Sequence, residues 1–229
     1  MYAEWAAGLP HVIAWRSTVP PGCPVKRILP DGCLDVIWRE GSVFVAGPDT
    51  TAQLGDDPAG TRFFGVRFAA GTGPGVLGVP ADELTDRQVP LDALIPAAEV
   101  RPLAEAADPL AALEAFARRR WQAPDRAMVA VAAAARAGRP VGAIADACGL
   151  SPRHLQRRSR STFGYGPKTL ARIMRMQSAV ALARAGRSFS DIAVTTGYAD
   201  QAHLSRDVKA LAGVPLGELV GAGTIGTED

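Results

Sequence analysis

Two segments near the C-terminal end share one pattern, and this duplication constrains the fold more than any other feature. Each has a short helix, a glycine turn and a capped second helix. The first copy opens at Val141 and turns at Gly149, a residue that readily adopts a positive φ angle. Ser151 is a preferred N-cap residue and Pro152 suits the first helical position. The pattern therefore predicts a helix that begins at Pro152 and ends at Phe163.

The second copy repeats this arrangement later in the chain. It opens at Phe189, turns at Gly197 and continues in a helix that Asp200 caps. This helix is expected to stop at Gly213, because glycine is the commonest residue just after a helix. Two such units are what a tandem helix-turn-helix domain requires.

A long helix is expected to join the two units, opening at Pro167 and ended by Gly186. Its apolar residues recur at steps of three and four and form one stripe, while Lys168, Arg172 and Arg175 form a basic face. At about 1.5 Å per residue the helix spans roughly 28 Å. This length is near the ~34 Å between successive major grooves on one face of B-DNA.

Outward positions on these helices carry the residues that we expect to contact DNA. Arginine and glutamine side chains bind phosphate oxygens and base edges. The alternative is that they are ordinary solvated helix residues. His154 and His203 occupy equivalent places in the two units, and we expect them to have packing roles. The predicted DNA-binding residues are Ser151, Arg153, Gln156, Arg157, Arg160, Lys168, Arg172, Gln201, Ala202, Ser205 and Arg206.

The charge of the chain is divided unevenly between its halves. Residues 1–125 contain 11 basic and 16 acidic residues, whereas residues 126–229 contain 14 basic and 7 acidic residues. The net charges are therefore −5 and +7, which agree with the +2 of the whole chain. A basic C-terminal half favours an anionic partner for that half.

The C-terminal part of the chain resembles the DNA-binding domain of the AraC/XylS transcription regulators. The segments that carry the resemblance are Ile144–Ala145, Gly149–Arg157, Gly164–Lys168 and Gly197–Arg206, together with Gly213. The resemblance implies that both capped helices bind double-stranded DNA in adjacent major grooves and that the output is activation or repression. Ser159 departs from the family, which usually has phenylalanine there, and a buried hydroxyl needs a hydrogen-bond partner.

The N-terminal part is expected to be rich in β-structure. Short apolar segments such as Leu34–Trp38, Ser42–Ala46 and Phe63–Phe68 alternate with turn residues, which favours a barrel or sandwich, with a cupin-like fold as one form. Gly71–Gly78 contains four glycines and is expected to be a loop. The predicted fold class is therefore α+β with two domains, of which the C-terminal one is all-α.

Four parts are expected along the chain. They are a β-rich domain over 1–95, a helical linker over 96–121, the tandem helix-turn-helix domain over 122–220 and a flexible tail over 221–229. Ile28–Trp38 and Val45–Thr50 resemble the short N-terminal domain of a subset of AraC-like regulators. That resemblance implies a domain that binds a small-molecule effector or forms a homodimer, with RNA polymerase as a further candidate partner.

Several other function classes lack support in the sequence. It contains no phosphate-binding loop, no nucleophile elbow and no histidine–carboxylate cluster at metal-ligand spacing, so we expect no enzyme activity, metal or cofactor. No apolar run approaches the ~18 residues of a membrane span and the start is not a secretory signal, so we expect no membrane partner and a cytoplasmic location. The alternative function is a small β-fold enzyme, or a thiol sensor using Cys23 and Cys33, with a helical partner-binding appendage.

Overall fold

The computed structural model describes residues 2–22 and 25–221. Two separate hydrophobic cores are present, one around a β-sheet and one among the C-terminal helices. This arrangement confirms the predicted α+β class with two domains. Among the described residues no helix is long and apolar enough to cross a membrane.

The N-terminal domain is built on one antiparallel six-stranded sheet. Its strands are β1 (Tyr2–Ala6), β2 (Val12–Thr18), β4 (Leu34–Arg39), β5 (Ser42–Ala46), β7 (Arg62–Phe68) and β8 (Gln88–Pro90). They lie in the order β1-β2-β7-β4-β5-β8. A separate two-stranded ribbon pairs β3 (Lys26–Ile28) with β6 (Gln53–Gly55). The sheet has open edges at β1 and β8, so it resembles an incomplete sandwich and not a closed barrel.

The two faces of the sheet differ in character because side chains alternate along each strand. On one face Val36 is paired with Val45 on one side and with Val66 on the other, and all three side chains are fully buried. The opposite face carries Asp35 and Arg67, the residues next to Val36 and Val66. One face therefore forms the core, and the other, which we call the polar face, carries charged side chains beside aromatic ones.

Three helices cover the apolar face of the sheet. They are α1 (Gly73–Leu77), α2 (Ala97–Ala104) and α3 (Pro109–Arg120). Leu113 and Phe116 of α3 are fully buried in the sheet core, and Trp38 Nε1 donates a hydrogen bond to the Ala104 carbonyl at 3.0 Å. The segment 96–121, expected as a helical linker, is thus helical, but its helices form a layer of the N-terminal domain.

The prediction of a loop over Gly71–Gly78 is wrong, because most of this segment forms α1. Pro74 lies in the first turn of the helix, where its fixed φ angle is favourable. Val76 and Leu77 are buried against the sheet core. Burial of these two side chains therefore outweighs the entropic cost of ordering the glycines.

Within its described residues the C-terminal domain contains the seven helices α4 (Arg126–Arg136), α5 (Val141–Ala147), α6 (Pro152–Phe163), α7 (Pro167–Arg184), α8 (Phe189–Thr195), α9 (Gln201–Ala212) and α10 (Leu216–Gly221). The predicted caps are formed. Ser151 Oγ accepts from the His154 N–H at 3.3 Å, and Asp200 Oδ1 accepts from the His203 N–H at 2.6 Å. Both helix-turn-helix units and the joining helix α7 are therefore confirmed. The predicted tail lies outside the described residues, apart from Gly221.

Hydrogen bonds at three places dock the two domains onto each other. The pairs are Ala52 N–H to the Leu211 carbonyl at 2.7 Å, Gln177 Nε2 to the Pro30 carbonyl at 2.6 Å, and Thr85 Oγ1 to the Gly164 carbonyl at 2.9 Å. Since these contacts involve α7, α9 and the turn after α6, the N-terminal domain touches both helix-turn-helix units.

Candidate nucleic-acid interface

The second helix of each unit, which we call the recognition helix, presents an exposed polar surface. On α6 and α9 every predicted DNA-binding residue is exposed, and so is Lys168 at the start of α7. Arg157 lies six residues after the cap Ser151, and Arg206 lies six residues after the cap Asp200. The two arginines therefore occupy the same turn and the same face of their helices.

Arg172 is the predicted residue that the structure places differently. Its Nε donates to Asp207 Oδ1 at 2.8 Å, and its Nη2 lies 2.7 Å from the same oxygen. Arg175 Nη2 approaches the other carboxylate oxygen at 3.5 Å. These ion pairs hold α9 against α7, because Asp207 belongs to α9 and both arginines belong to α7. The basic face predicted for α7 is thus partly used inside the domain.

Sequence reasoning missed Asp207, although a signal was present. It lies three residues after Leu204 and one before Val208, on the inward face of α9. An acidic residue at an inward position needs a cationic partner, because burying an unpaired charge is costly. The arginines of the facing helix were the available partners.

The ring of Tyr198 completes this cluster in the second unit. The Arg175 guanidinium lies 4.4 Å from the ring centroid, a cation–π distance. His203 packs edge-on against the same ring, with 5.2 Å between the centroids. Burial raises the pKa of Tyr198 to about 12, and the negative charge of Asp207 adds to this rise. The packing role predicted for His203 is confirmed, whereas His154 is exposed.

In the first unit, apolar contacts hold the recognition helix in the core, and an exposed ion pair between Arg158 and Asp125 joins it to the start of α4. Leu155 and Phe163 on α6 are buried in the helical core. Ser159, one turn from each, is also fully buried, and its hydroxyl has no hydrogen-bond partner among the described residues. The departure noted in the sequence therefore leaves an unsatisfied polar group in the core of the first unit.

An acidic turn of the N-terminal domain, residues 80–85, lies beside the first recognition helix. Asp82 and Glu83 of this turn line a groove whose other wall is formed by α6. Arg153, Arg157 and Arg160 stand on that wall. Carboxylates thus face the arginines that were predicted to bind DNA.

A hydrogen bond to Gly164 holds the acidic turn next to α6. The Thr85 hydroxyl donates to the Gly164 carbonyl at 2.9 Å. Gly164 ends α6 with a φ of +87°, and a Cβ at this position would lie 2.4 Å from Thr85 Oγ1 and 2.6 Å from Pro48 Cγ. A residue with a side chain does not fit this approach, so glycine has a tertiary role here beyond ending the helix.

The second recognition helix is contacted by the N-terminal domain at its C-terminal end. Ala52 donates to the Leu211 carbonyl, and Arg27 Nη1 donates to the Ala212 carbonyl at 2.8 Å. These carbonyls belong to the last turn of α9, whereas Arg206 lies in its middle turn. The face that carries Arg206 is therefore left exposed.

A cavity of about 790 Å³ separates the polar face of the sheet from the ribbon of β3 and β6. Trp15, Phe44 and Phe63 supply aromatic walls, and Gln177 and Val214 extend the lining into the C-terminal domain. A volume of this size suits a small molecule. Among the described residues no group of three or more histidine, cysteine, aspartate or glutamate side chains could hold a metal ion.

A buried ion pair forms part of the cavity floor. Asp35 Oδ1 accepts from Trp15 Nε1 at 2.6 Å and lies 3.3 Å from Arg67 Nε. Burial raises the pKa of Asp35 above its usual range, while the Arg67 guanidinium opposes this rise. The hydrogen bonds and the guanidinium together offset the cost of burying this carboxylate.

The thiol-sensor alternative finds no support in the cavity. Burial and the negative charge of Asp31 raise the pKa of the Cys33 thiol well above its usual value. Since the thiolate is the reactive form, a raised pKa makes Cys33 a poor sensor at neutral pH. Cys23, the other residue of the suggested pair, lies outside the described residues.

Comparison with known proteins agrees with the two-domain division. Residues 144–221 match the family described as a helix-turn-helix domain, and residues 11–90 match a domain of unknown function, DUF6597. Among curated proteins no match was found.

Solved structures of regulators are also similar to this chain. A probable AraC family transcriptional regulator from Rhodopseudomonas palustris is 23% identical, with a TM-score of 0.38 over 42% of this chain and 96% of the other. ToxT from Vibrio cholerae is 11% identical, with a TM-score of 0.48 over 94% of this chain and 98% of the other. ToxT with a bound unsaturated fatty acid is 12% identical, with a TM-score of 0.48 over 95% and 97% of the two chains.

The family match and the geometry agree on the C-terminal domain. The matched residues contain both turns, both capped recognition helices and all of α7. The surface of the recognition helices has the residue types that bind DNA. The C-terminal domain is therefore a tandem helix-turn-helix domain, the DNA-binding domain of a transcription regulator, in agreement with the resemblance to the AraC/XylS regulators found in the sequence.

Proposed function

We propose that α6 and α9 enter two successive major grooves on one face of the DNA, and that Arg157 and Arg206 each read a guanine. The observation that carries this proposal is the shared position of the two arginines, six residues after the caps of their helices. The 18-residue α7 spans about 27 Å between the units, which suits grooves ~34 Å apart. An arginine fork matches the O6 and N7 atoms of guanine.

The remaining exposed residues have supporting roles in this proposal. Gln156, Gln201 and Ser205 are exposed on the same helices as the two arginines, and they contact neighbouring base edges or phosphates. Lys168, exposed in the first turn of α7, binds a phosphate and adds affinity without sequence preference. Arg172 acts through Asp207 by positioning α9.

The N-terminal domain modulates the first unit through the acidic turn. Phosphates that approach α6 meet Asp82 and Glu83 as well as the arginines of the helix. Like charges repel, so the docked turn weakens DNA binding by the first unit. The cavity between sheet and ribbon is the proposed site for a small-molecule effector. Homodimer formation and contact with RNA polymerase are further proposals that the family suggests.

Selection of binding sites from random DNA tests the proposal, with the full chain and its Arg157→Ala and Arg206→Ala variants. Each variant should lose the preference at one base position, at a cost of about 1–3 kcal/mol, and the two positions should lie about 10 base pairs apart. Arg119→Ala, which removes an exposed arginine from α3, is the matched control and should leave the selected motif unchanged.

Two outcomes would contradict the proposal. If the variants lost affinity equally for all DNA sequences and selected an unchanged motif, Arg157 and Arg206 would bind phosphates and not bases. A gel-shift series over about 50–200 mM salt in which affinity stayed flat would show that phosphate contacts do not contribute, since such contacts make binding strongly salt-dependent.

A further inference from the structure

A five-residue sequence occurs twice in the C-terminal domain, once at the end of α4 and once at the end of α7. It reads Ala-Arg-Ala-Gly-Arg and covers residues 135–139 and 183–187. The two copies are 48 residues apart, the same distance that separates the turn glycines Gly149 and Gly197. The duplication therefore includes the segment that leads into the first helix of each unit, although the rest of α4 and α7 differs in sequence.

Both copies end their helix in the same way. The glycine of each copy has a positive φ angle, +71° at Gly138 and +77° at Gly186. In the first copy the N–H groups of Gly138 and of Arg139 after it donate to carbonyls in the last turn of α4, both at 3.0 Å. The same two hydrogen bonds in the second copy measure 3.0 and 3.1 Å. This pattern is the Schellman motif, so the glycine of the repeat has a local structural role.

The last residue of the repeat has no such local role. In a Schellman motif the residue after the glycine is commonly hydrophobic and packs back onto the helix. Arg139 and Arg187 take this place instead, and both are exposed. The ending of the helix therefore does not explain why both copies have arginine here.

The two guanidinium groups are also free of ion pairs within the part of the chain that the structure describes. Arg158 and Arg172 of the same domain, by contrast, are each paired with a carboxylate. Asp191 lies in the first turn of α8, four residues after Arg187, but it forms no ion pair with that arginine. The charge of both guanidinium groups is thus available to a partner outside the chain.

The first arginine of the repeat does not share this equivalence between the units. Arg184 lines the cavity between the sheet and the ribbon. Arg136 lies in the last turn of α4, where a positive charge interacts favourably with the helix dipole. Only the arginine after the glycine is both exposed and unpaired in the two copies, as a residue with one role in two equivalent units should be.

The length of the first helix determines how far these arginines lie from the recognition helix. The helices α5 and α8 each contain seven residues and carry the chain about 10 Å from the glycine turn. The major groove of B-DNA is about 12 Å wide. When a recognition helix lies in the groove, the first helix of its unit crosses the DNA backbone. An arginine at the start of the first helix then meets phosphates at the edge of the groove.

We propose that Arg139 and Arg187 each bind a phosphate at the edge of the major groove that their own unit occupies. This inference rests on the proposed function, because it extends the DNA contacts of α6 and α9. A guanidinium binds phosphate oxygens through parallel N–H donors. Phosphate contacts carry no sequence information, so the two arginines add affinity for every DNA sequence and fix the orientation of each unit on the duplex.

Fluorescence anisotropy with the full chain tests the inference on two duplexes, one that carries the selected motif and one of the same length with scrambled sequence. Each phosphate contact adds about 0.9 to the slope of log affinity against log salt concentration. Between about 50 and 200 mM salt, Arg139→Gln and Arg187→Gln should each lose about 3.5-fold less affinity than the unchanged chain, and the double variant about 12-fold less. The change in slope should be the same on both duplexes.

Two control variants separate a phosphate contact from a general effect of charge. Arg139→Lys keeps a positive charge at the same position and should retain the slope. Arg119→Gln removes an exposed arginine from α3 and should leave the slope unchanged on both duplexes. The glutamine variants should keep the Tm of the chain, because changes of exposed and unpaired side chains have little effect on stability.

Unchanged slopes for Arg139→Gln and Arg187→Gln would overturn the inference. A fall in only one of them, or a fall confined to the duplex with the motif, would overturn it as well. If the slopes fall while Arg157→Ala and Arg206→Ala leave the motif unchanged, the proposed reading of guanines is wrong and this inference stands. If those alanine variants change the motif and the slopes do not fall, only this inference is wrong.

Discussion

The two helix-turn-helix units have nearly the same helices but different supporting interactions. In the second unit the buried carboxylate of Asp207 joins two arginines of α7, and an aromatic ring packs beside them. In the first unit the corresponding helix is held by Leu155 and Phe163, with the unsatisfied hydroxyl of Ser159 between them. The second unit is thus fixed by a buried carboxylate paired with two arginines, whereas the first relies on apolar packing and on one exposed ion pair, Arg158 with Asp125.

The N-terminal domain also treats the two units differently. It places the acidic turn beside the exposed arginines of α6, but it contacts α9 at the carbonyls of the last turn. Under the proposed function, the first unit is the one that the N-terminal domain regulates. On the second unit Gln201, Ser205 and Arg206 remain exposed.

The largest expected effect is on the free energy of unfolding, and it should differ between the two glycines that end the recognition helices. Gly164→Ala should destabilise the chain by about 3 kcal/mol, because it adds a backbone strain of ~1–2 kcal/mol to a clash with Thr85 and Pro48. Gly213→Ala has a similar positive φ, but its nearest contact is the flexible end of Arg27, so about 1 kcal/mol is expected. Urea unfolding measures both values. Equal losses would show that the Thr85 contact adds nothing beyond backbone strain.

The ion pairs of the second unit provide the next test. Asp207→Ala should cost about 2 kcal/mol, less than the ~3–5 kcal/mol of a fully buried pair, because Arg172 and Arg175 are partly exposed. DNA selection with this variant should lose the half-site of α9 and retain that of α6. Glu218→Ala, which removes an exposed acidic residue from α10, is the control. Loss of both half-sites would show that the ion pairs support the whole domain and not one unit.

Ser159→Ala should stabilise the first unit. Removing a buried hydroxyl without a partner relieves its desolvation cost, and a gain of about 1 kcal/mol in the free energy of unfolding is expected. Ser178→Ala is the matched control, since the Ser178 hydroxyl donates to the Met174 carbonyl at 3.0 Å and its removal should be neutral or unfavourable. Destabilisation by Ser159→Ala would indicate that the hydroxyl is satisfied in solution.

The smallest effect concerns the acidic turn. The double change Asp82→Asn with Glu83→Gln should strengthen DNA binding about threefold at low salt, because it removes like charge near the phosphates. The gain should shrink as salt rises, because exposed charges are screened. Asp92→Asn with Glu105→Gln, a change of the same charge elsewhere in the N-terminal domain, is the control. Weaker binding by the first variant would show that the turn assists docking and does not oppose it.

Local chemistry explains why the C-terminal domain was so predictable. The caps Ser151 and Asp200, the prolines at helix starts and the glycines at helix ends act within one turn of chain. Their effect is the same in any tertiary setting, so the limits of α6 and α9 follow from the sequence. The exposed positions of Arg157 and Arg206 follow in turn from helical periodicity.

The N-terminal sheet was less predictable because strand pairing is not local. Three strands of this domain are only three residues long, and each depends on a partner that is distant in the chain. They are Gln88–Pro90 of the sheet and the two ribbon strands Lys26–Ile28 and Gln53–Gly55. The helix over Gly73–Leu77 forms although its glycines oppose it, because the sheet buries its apolar side chains. Neither feature has a signal within its own residues.

The sequence by itself therefore determined the tandem recognition helices, their spacing and the residues that they expose. Only the tertiary structure decided that Arg172 is paired with Asp207, that an acidic turn lies beside α6 and that a cavity lies between the sheet and the ribbon of β3 and β6. The physical reason is the range of the interactions. Capping and periodicity act over one or two helical turns, whereas ion pairs and cavities join residues that only folding brings together.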